Sequence, residues 1–224
     1  MLTKADEKLI RSLHTNKGRS ESGFCLVEGK KNVAEARGFV EFTFTPADSR
    51  IFDRLVETVT PQSIAAVAKI PQWKSNNLEE RACIVVLDGV QDPGNVGTIL
   101  RLCLAFKASL LLIESADPSS PKVIRSSAGA FFRVPWLEVT RAEAEEAIVS
   151  FNRPIYRLEK NNTSSKGMKK MLNEKKVVLI AGSEGQGIKL GLEGTSLEIP
   201  HEESLESLNV AAALAISLFN FYSK

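Results

Sequence analysis

The run Val177-Val178-Leu179-Ile180-Ala181, followed at once by Gly182-Ser183-Glu184-Gly185-Gln186-Gly187, most restricts what this chain can become. A short apolar run of this length, ended by a turn signal, reads as a strand buried on both faces, as in a parallel sheet. Ligands of open parallel sheets bind outside the carboxyl ends of the strands. Glycines at that point let backbone donors and acceptors approach a ligand closely. Beyond the loop, Leu197-Glu198-Ile199 reads as a second short strand, and Pro200 leads on to Ser207-Leu208-Asn209 and a long apolar segment. Two strand ends, a glycine loop and a polar triplet entering a helix make a small-molecule site.

Motif chemistry narrows the ligand. A phosphate-cradling Walker A loop needs Lys-Ser or Lys-Thr after its last glycine, whereas Ile188-Lys189 follows Gly187 here. A dinucleotide fingerprint needs Gly-x-Gly-x-x-Gly opening a helix, and this loop has the order Gly-x-x-Gly-x-Gly with Gly191 and Gly194 close behind. A plain turn stays open on the loop alone. Ser183 lacks the Gly-x-Ser-x-Gly setting of a nucleophile elbow, and His14 and His201 have no partners for a metal site or a triad.

Strands and helices alternate upstream. Cys83 to Leu87 and Ser109 to Ile113 read as buried strands, Val134 to Val139 as extended and Ile155 to Leu158 as a strand. Asn95 is expected to cap a helix running to about Phe106. Ser120-Pro121 opens another helix, and Thr140 with Glu143 forms a capping box for a third. The polar, basic stretch from Asn161 to Asn173 includes Lys166, Lys169 and Lys170. This pattern predicts an α/β fold with a largely parallel sheet covered on both faces.

The first seventy or so residues read differently. A weak helix from Ala5 to Leu13 precedes a basic turn from His14 to Gly23, and Phe24 to Gly29 reads as a strand ended by glycine. Lys30 to Ala36 is expected as helix, Phe39 to Thr45 as strand, Phe52 to Thr58 as helix and Ile64 to Ile70 as strand. That is a small α+β unit. Pro71 to Asn77 is polar and without periodicity, and marks a boundary between domains at 1–76 and 77–224.

Composition excludes several classes. The net charge of +2 over 224 residues is too small to diagnose nucleic-acid binding, so any RNA surface must come from local clusters. Three scattered cysteines make neither a disulfide framework nor a Cys-x-x-Cys metal pair, and point to a reducing, cytoplasmic setting. The first residues lack the apolar core of a signal peptide, and no apolar run reaches the roughly 20 residues of a membrane span.

Three stretches acquire meaning together: Asp92-Pro93-Gly94-Asn95-Val96-Gly97-Thr98-Ile99-Leu100-Arg101, then Ala181 to Gly187, then Ile199-Pro200 leading to Ser207-Leu208-Asn209-Val210-Ala211. In that order they resemble the signature motifs of the SpoU/TrmH family of the SPOUT superfamily, RNA ribose 2′-O-methyltransferases that use S-adenosylmethionine. Ser126-Ser127-Ala128-Gly129-Ala130 is similar to a segment between them, and Lys17-Gly18-Arg19 through Gly29 to the start of the family's small, ribosomal-protein-like RNA-binding domain. The resemblance implies a trefoil-knotted domain over 77–224, an RNA-binding domain over 1–76, a homodimer joined through the knot domain, and structured RNA as substrate, ribosomal rather than transfer RNA. A non-catalytic RNA-binding or ribosome-assembly factor with the same fold, or a tRNA 2′-O-methyltransferase, is the competing reading.

The same resemblance implies roles. Arg101 acts on the ribose hydroxyl, with Asn95, Glu184, Ser207 and Asn209 around it, while Ala181, Gly182, Gly187, Ile199, Pro200 and Leu208 line the cofactor pocket. An arginine is a poor general base, so binding the adjacent phosphate and stabilising charge on the oxygen is the preferred role. Lys17, Arg19, Lys30 and Arg125 are the expected RNA contacts. Lys107 stands where the family usually has glycine, and His201 where it usually has methionine.

Overall fold

The computed structural model describes residues 1–57, 63–160, 165–202 and 204–223, without the side chains of 165 and 166. In chain order the elements begin with α1 (Lys4–Ser12), α2 (Asn16–Ser22), β1 (Phe24–Glu28), α3 (Lys30–Glu35), β2 (Val40–Phe44), α4 (Phe52–Leu55) and β3 (Ala65–Lys69). There follow α5 (Ser75–Glu79), β4 (Cys83–Asp88), α6 (Pro93–Ala105), β5 (Ser109–Ile113), α7 (Pro121–Ser127), β6 (Trp136–Val139) and α8 (Arg141–Ser150). The last are β7 (Ile155–Leu158), α9 (Ser165–Leu172), β8 (Val177–Gly182), β9 (Thr195–Leu197) and α10 (Val210–Tyr222). The chain forms two compact units: Met1–Gln72 with Asp117–Arg133, and Trp73–Ala116 with Val134–Lys224.

In the first unit β3 lies between β1 and β2, antiparallel to both. Ile10 and Leu13 pack with Leu26, Phe44, Phe52, Leu55 and Val67 into its core. Helix α2 occupies the stretch expected as a turn. Its sequence has no apolar periodicity; it exists because Thr15 accepts a hydrogen bond from the Gly18 amide at one end and Gly23, at φ 71°, closes the other. Gly18 is required by space, since a Cβ there would lie 2.1 Å from the Ser12 carbonyl oxygen. Helix α4 stops at Leu55, and Thr58, placed in the same helix by the sequence, lies outside the described residues.

The second unit carries a six-stranded sheet in the order β6-β5-β4-β8-β7-β9, every pairing parallel. The expected α/β class is the one found. All six residues of β4 and all five of β5 are buried, so both faces of the central strands are covered. On one face Ile84, Val86, Leu111, Ile113, Val178 and Ile180 pack against Ile148 and Phe151 of the α8 region. Each apolar residue so buried contributes about 1.5–3 kcal/mol relative to exposure.

Two local expectations are corrected. Asp92, not Asn95, caps α6: its carboxylate accepts from the Asn95 amide at 2.7 Å with Pro93 at the first helical position, so Asn95 sits within the first turn and its side chain is not spent on the cap. Strand β9 ends at Leu197, two residues before Ile199, because its bounds come from pairing with Tyr156–Leu158. The basic stretch before β8 folds in part as α9, while residues 161–164 and the side chain of Lys166 lie outside the description. Lys107, after α6, has φ 51°, the left-handed region that glycine occupies most readily.

Candidate active site

Strand β8 delivers the glycine loop to the carboxyl edge of the sheet. The loop closes on itself: the Gly187 amide donates to the Ser183 carbonyl at 2.9 Å, and the Gln186 amide to the Ser183 hydroxyl at 3.2 Å. Gly187 has φ 64°. A Cβ on Gly182 would stand 2.1 Å from the Gly187 carbonyl, so the loop cannot close over any larger residue.

Below this loop the same edge is held by a buried carboxylate. Asp88, the last residue of β4, accepts from the amides of Lys189 at 2.6 Å and Leu190 at 2.9 Å and from the Arg141 guanidinium at 2.6 Å. Three donors compensate the cost of burying this charge. They tie the exit of the glycine loop to the strand that precedes the Asp92–Arg101 motif. A strand-end aspartate was visible in the sequence, but its amide partners about a hundred residues away carried no signal.

A cleft of about 190 Å³ opens at this edge. Its walls include Ala181, Gly182, Glu184 and Gly187 from the loop, and Ile199, Ser207 and Leu208 from the segment before α10. Leu158, Glu159, Lys160, Ser183, Leu197, Glu198, His201, Glu206, Val210 and Ala213 complete it, none of them expected as site residues. The volume corresponds to on the order of ten or more waters, which suits a ligand of nucleoside size. Pro200 is exposed and is not among the lining residues, because the chain turns it outward between Ile199 and His201.

Three polar residues from the three motifs meet beside the cleft. Glu184 accepts from the side-chain amide of Asn209 at 2.8 Å and from that of Asn95 at 3.3 Å, and Asn209 also donates to the Asn95 side-chain oxygen Oδ1 at 3.0 Å. The Asn209 oxygen in turn accepts from the amides of Ala211 and Ala212 and caps α10. One asparagine therefore caps the start of α10 and joins the glycine loop to the first turn of α6.

Arg101 is not part of this triangle. It lies about 9 Å further along α6 than Asn95, at 1.5 Å per residue, on the exposed stripe of Gly94, Thr98 and Ala105. Its side chain makes no hydrogen bond or ion pair with another described residue and does not line the cleft. Glu184 thus holds the Asn95 motif rather than Arg101. Ser207 is exposed at the cleft wall.

The basic residues singled out in the first unit have different fates. Lys17 is exposed with a loose 3.8 Å pair to Glu21, and Lys30 is exposed at the start of α3. Arg125 is 36% exposed and pairs with the buried Glu28 at 3.4 Å. Arg19 is only 4% exposed: its guanidinium donates to Asp117, to the Ser119 hydroxyl and to the Leu13 carbonyl, so its donors are engaged inside the protein and not offered to RNA.

A six-stranded parallel sheet whose glycine loop, helix-capping asparagine and strand-end cleft converge at one edge is the frame of a nucleotide- or nucleoside-binding protein. The chain belongs to the SpoU rRNA Methylase family, which it matches over residues 82–219. It is 30% identical, over 94% of its length and 93% of the relative's, to the 23S rRNA (guanosine(2553)-2′-O)-methyltransferase RlmP of Bacillus subtilis. An uncharacterised tRNA/rRNA methyltransferase of Synechocystis is 29% identical over 95% of this chain and 88% of its own. Among solved structures, a TrmH-family protein from Porphyromonas gingivalis superposes with a TM-score of 0.81 at 31% identity, covering 99% of this chain and 98% of that one. The fold is also that of the AdoMet-bound rRNA methyltransferase of Sinorhizobium meliloti, with a TM-score of 0.86 at 24% identity over 100% of this chain and 96% of that one.

Proposed function

We propose that the chain is an S-adenosylmethionine-dependent methyltransferase acting on a ribose 2′-hydroxyl of structured RNA, ribosomal RNA in particular. The observation that carries this reading is the Asn95–Glu184–Asn209 triangle beside a strand-end cleft, which joins all three motifs by hydrogen bonds. The cleft's chemistry fits the cofactor: Leu158, Leu197, Ile199 and Leu208 offer an apolar seat for a purine ring, and Glu159, Glu198 and Glu206 offer carboxylates to cationic groups. When bound, the cofactor supplies a transferable methyl group on a sulfonium.

The remaining work falls to the chain. Asn95 and Glu184 hold the first turn of α6, and the helix carries Arg101 toward solvent, where an RNA backbone has access. Arg101 binds the phosphate beside the target ribose and stabilises the negative charge that develops on its 2′ oxygen. Orientation of that oxygen by Ser207 and the asparagines supplies the rest, since a fixed geometry is worth several kcal/mol in a displacement, and the hydroxyl proton passes to solvent at this exposed edge. The family's knotted tail belongs to this reading.

The RNA-binding unit is Met1–Gln72, extended beyond the 1–76 read from the sequence by Asp117–Arg133, and the methyltransferase is Trp73–Ala116 with Val134–Lys224, with Lys17 and Lys30 as phosphate contacts, Arg125 as a weaker one, and the cytoplasm as the site of action. Among the described residues no helix is long and apolar enough to cross a membrane. A homodimer forms through the methyltransferase domain. Ile216, Phe219 and Tyr222 are 40%, 58% and 50% exposed on one stripe of α10, where solvation of such large apolar groups favours association. Sedimentation equilibrium is expected to give twice the chain mass, and a monomer mass at micromolar concentration would remove the dimer.

The function is tested by incubating the protein with methyl-labelled cofactor and ribosomal RNA from cells that lack it. Digestion to nucleosides is expected to yield one labelled 2′-O-methylnucleoside. Label on a base, or none, would overturn the proposal.

A further inference from the structure

The segment from Ile188 to Gly194 joins two walls of the cleft. It leaves the glycine loop at Gly187 and enters β9 at Thr195, with no regular secondary structure of its own. Two glycines, Gly191 and Gly194, would leave such a stretch loose. Its backbone is held instead by charged side chains from three elements. The amides of Lys189 and Leu190 donate to Asp88 of β4, and that of Gly191 to Glu145 of α8 at 3.0 Å. The carbonyls of Leu190 and Leu192 converge on one nitrogen, Nη1 of Arg157 in β7, at 3.0 and 2.6 Å. The same guanidinium donates through Nε to the Glu159 carboxylate at 3.2 Å, and Glu159 accepts from the Ser196 hydroxyl of β9 at 2.7 Å. Arg157 therefore holds the segment at its middle and, by way of Glu159, the strand in which it ends. Its side chain is 15% exposed, so these charge-assisted bonds are largely removed from water.

We infer that Arg157 is a positioning residue of the cofactor site, which fixes the Ile188–Gly194 segment and so sets the spacing of the glycine loop and the Leu197 wall before the ligand arrives. This rests on the cofactor reading above. Arg157 is not itself a wall residue, so it acts through the segment it holds. Neither wall can set its distance from the other. The glycine loop closes only on itself, and β9 is three residues long at the edge of the sheet. A segment ordered in advance need not be ordered at binding, and affinity gains by that difference. A planar guanidinium is the side chain that can engage two carbonyls and a carboxylate at once.

The test combines calorimetry with S-adenosylhomocysteine, steady-state kinetics and amide hydrogen exchange on the full chain, as wild type, Arg157→Met and Arg157→Lys. In the wild type the amides of Lys189, Leu190 and Gly191 are expected to be protected before any ligand is added. In Arg157→Met they exchange faster, and S-adenosylhomocysteine restores their protection while binding about tenfold more weakly. The cofactor KM rises by the same factor, whereas kcat and the KM for RNA stay within about twofold, because Arg101 and the Asn95–Glu184–Asn209 triangle are untouched. Arg157→Lys, which keeps the charge but not the fork, falls between the two. A residue that only supports the fold gives the opposite pattern, since a smaller active fraction lowers kcat and leaves the cofactor KM alone. That pattern, or an unchanged affinity in the folded variant, would overturn the positioning role and leave the cofactor reading standing. So would wild-type amides that exchange as an open loop until ligand is added, an outcome that needs no variant. Failure of the wild type to bind S-adenosylhomocysteine would overturn both.

Discussion

Arg101→Ala is expected to lower methyl transfer by about 10²–10³-fold, the range for removing one charge-stabilising group from a transition state, while cofactor affinity is kept. The two halves of that expectation have separate grounds. Arg101 is exposed on α6, its side chain makes no hydrogen bond or ion pair with another described residue and is absent from the cleft wall, so its removal leaves both fold and cofactor seat in place. Substitutions at such positions change stability by no more than about 0.5 kcal/mol. Whatever is lost is therefore lost on the substrate side. Single-turnover transfer to RNA measures the first half and calorimetry with S-adenosylhomocysteine the second. Arg101→Lys is expected to recover only part of the rate, because an ammonium keeps the charge but not the planar fork that engages two oxygens at once. An unchanged rate would remove Arg101 from the chemistry, and a lost cofactor affinity would move it to the cofactor.

Asp117→Ala is expected to destabilise the first unit by about 3–5 kcal/mol, the cost of leaving one partner of a buried pair without the other. Asp117 receives the side chains of Arg19, Asn16 and Ser119 and the Ser119 amide, and its own side chain is 16% exposed. Without it, a guanidinium 4% exposed keeps the Leu13 carbonyl and the Ser119 hydroxyl but has no counter-charge. Burial by itself pulls the Asp117 carboxyl upward, but the hydrogen bonds from Ser119 and Arg19 outweigh it and hold the pKa below the usual carboxylate range. A depressed folded pKa means that the stabilisation is present above the unfolded pKa and is lost as pH falls through the folded one. Wild type and variant should thus converge in stability on the acid side. Denaturant titrations across pH measure this. A double replacement, Arg19→Met with Asp117→Leu, is expected to recover most of the loss. A constant gap down to the acid limit would show that the pair is not its source.

Much of the architecture was legible because it rests on local pattern. Uninterrupted apolar runs at Cys83, Ser109 and Val177 became the three central strands, since a strand covered on both faces admits few polar residues. The Thr140–Glu143 capping box and the Ser120-Pro121 start were found where expected. Helix α2 was not legible, because its stability comes from a cap at Thr15, a left-handed Gly23 and the burial of Arg19, none of which leaves an apolar repeat. Strand β9 was displaced because three residues carry too little pattern to set their own ends.

The candidate site divides in the same way. The chain's motifs determined its family, its fold class and which loops gather at the sheet edge, because glycine, proline and short polar residues at fixed positions are local requirements of backbone geometry. Only the tertiary structure decided what those loops do to one another. Asn95, Glu184 and Asn209 form a triangle from three distant segments, whereas Arg101 stands apart from it. Burial likewise assigned Arg19 to an internal ion pair and left Lys30, equally basic in sequence, facing water. A side chain's charge and donor set are written in the sequence, but its partners are a matter of solvent exclusion, which depends on every element that packs around it.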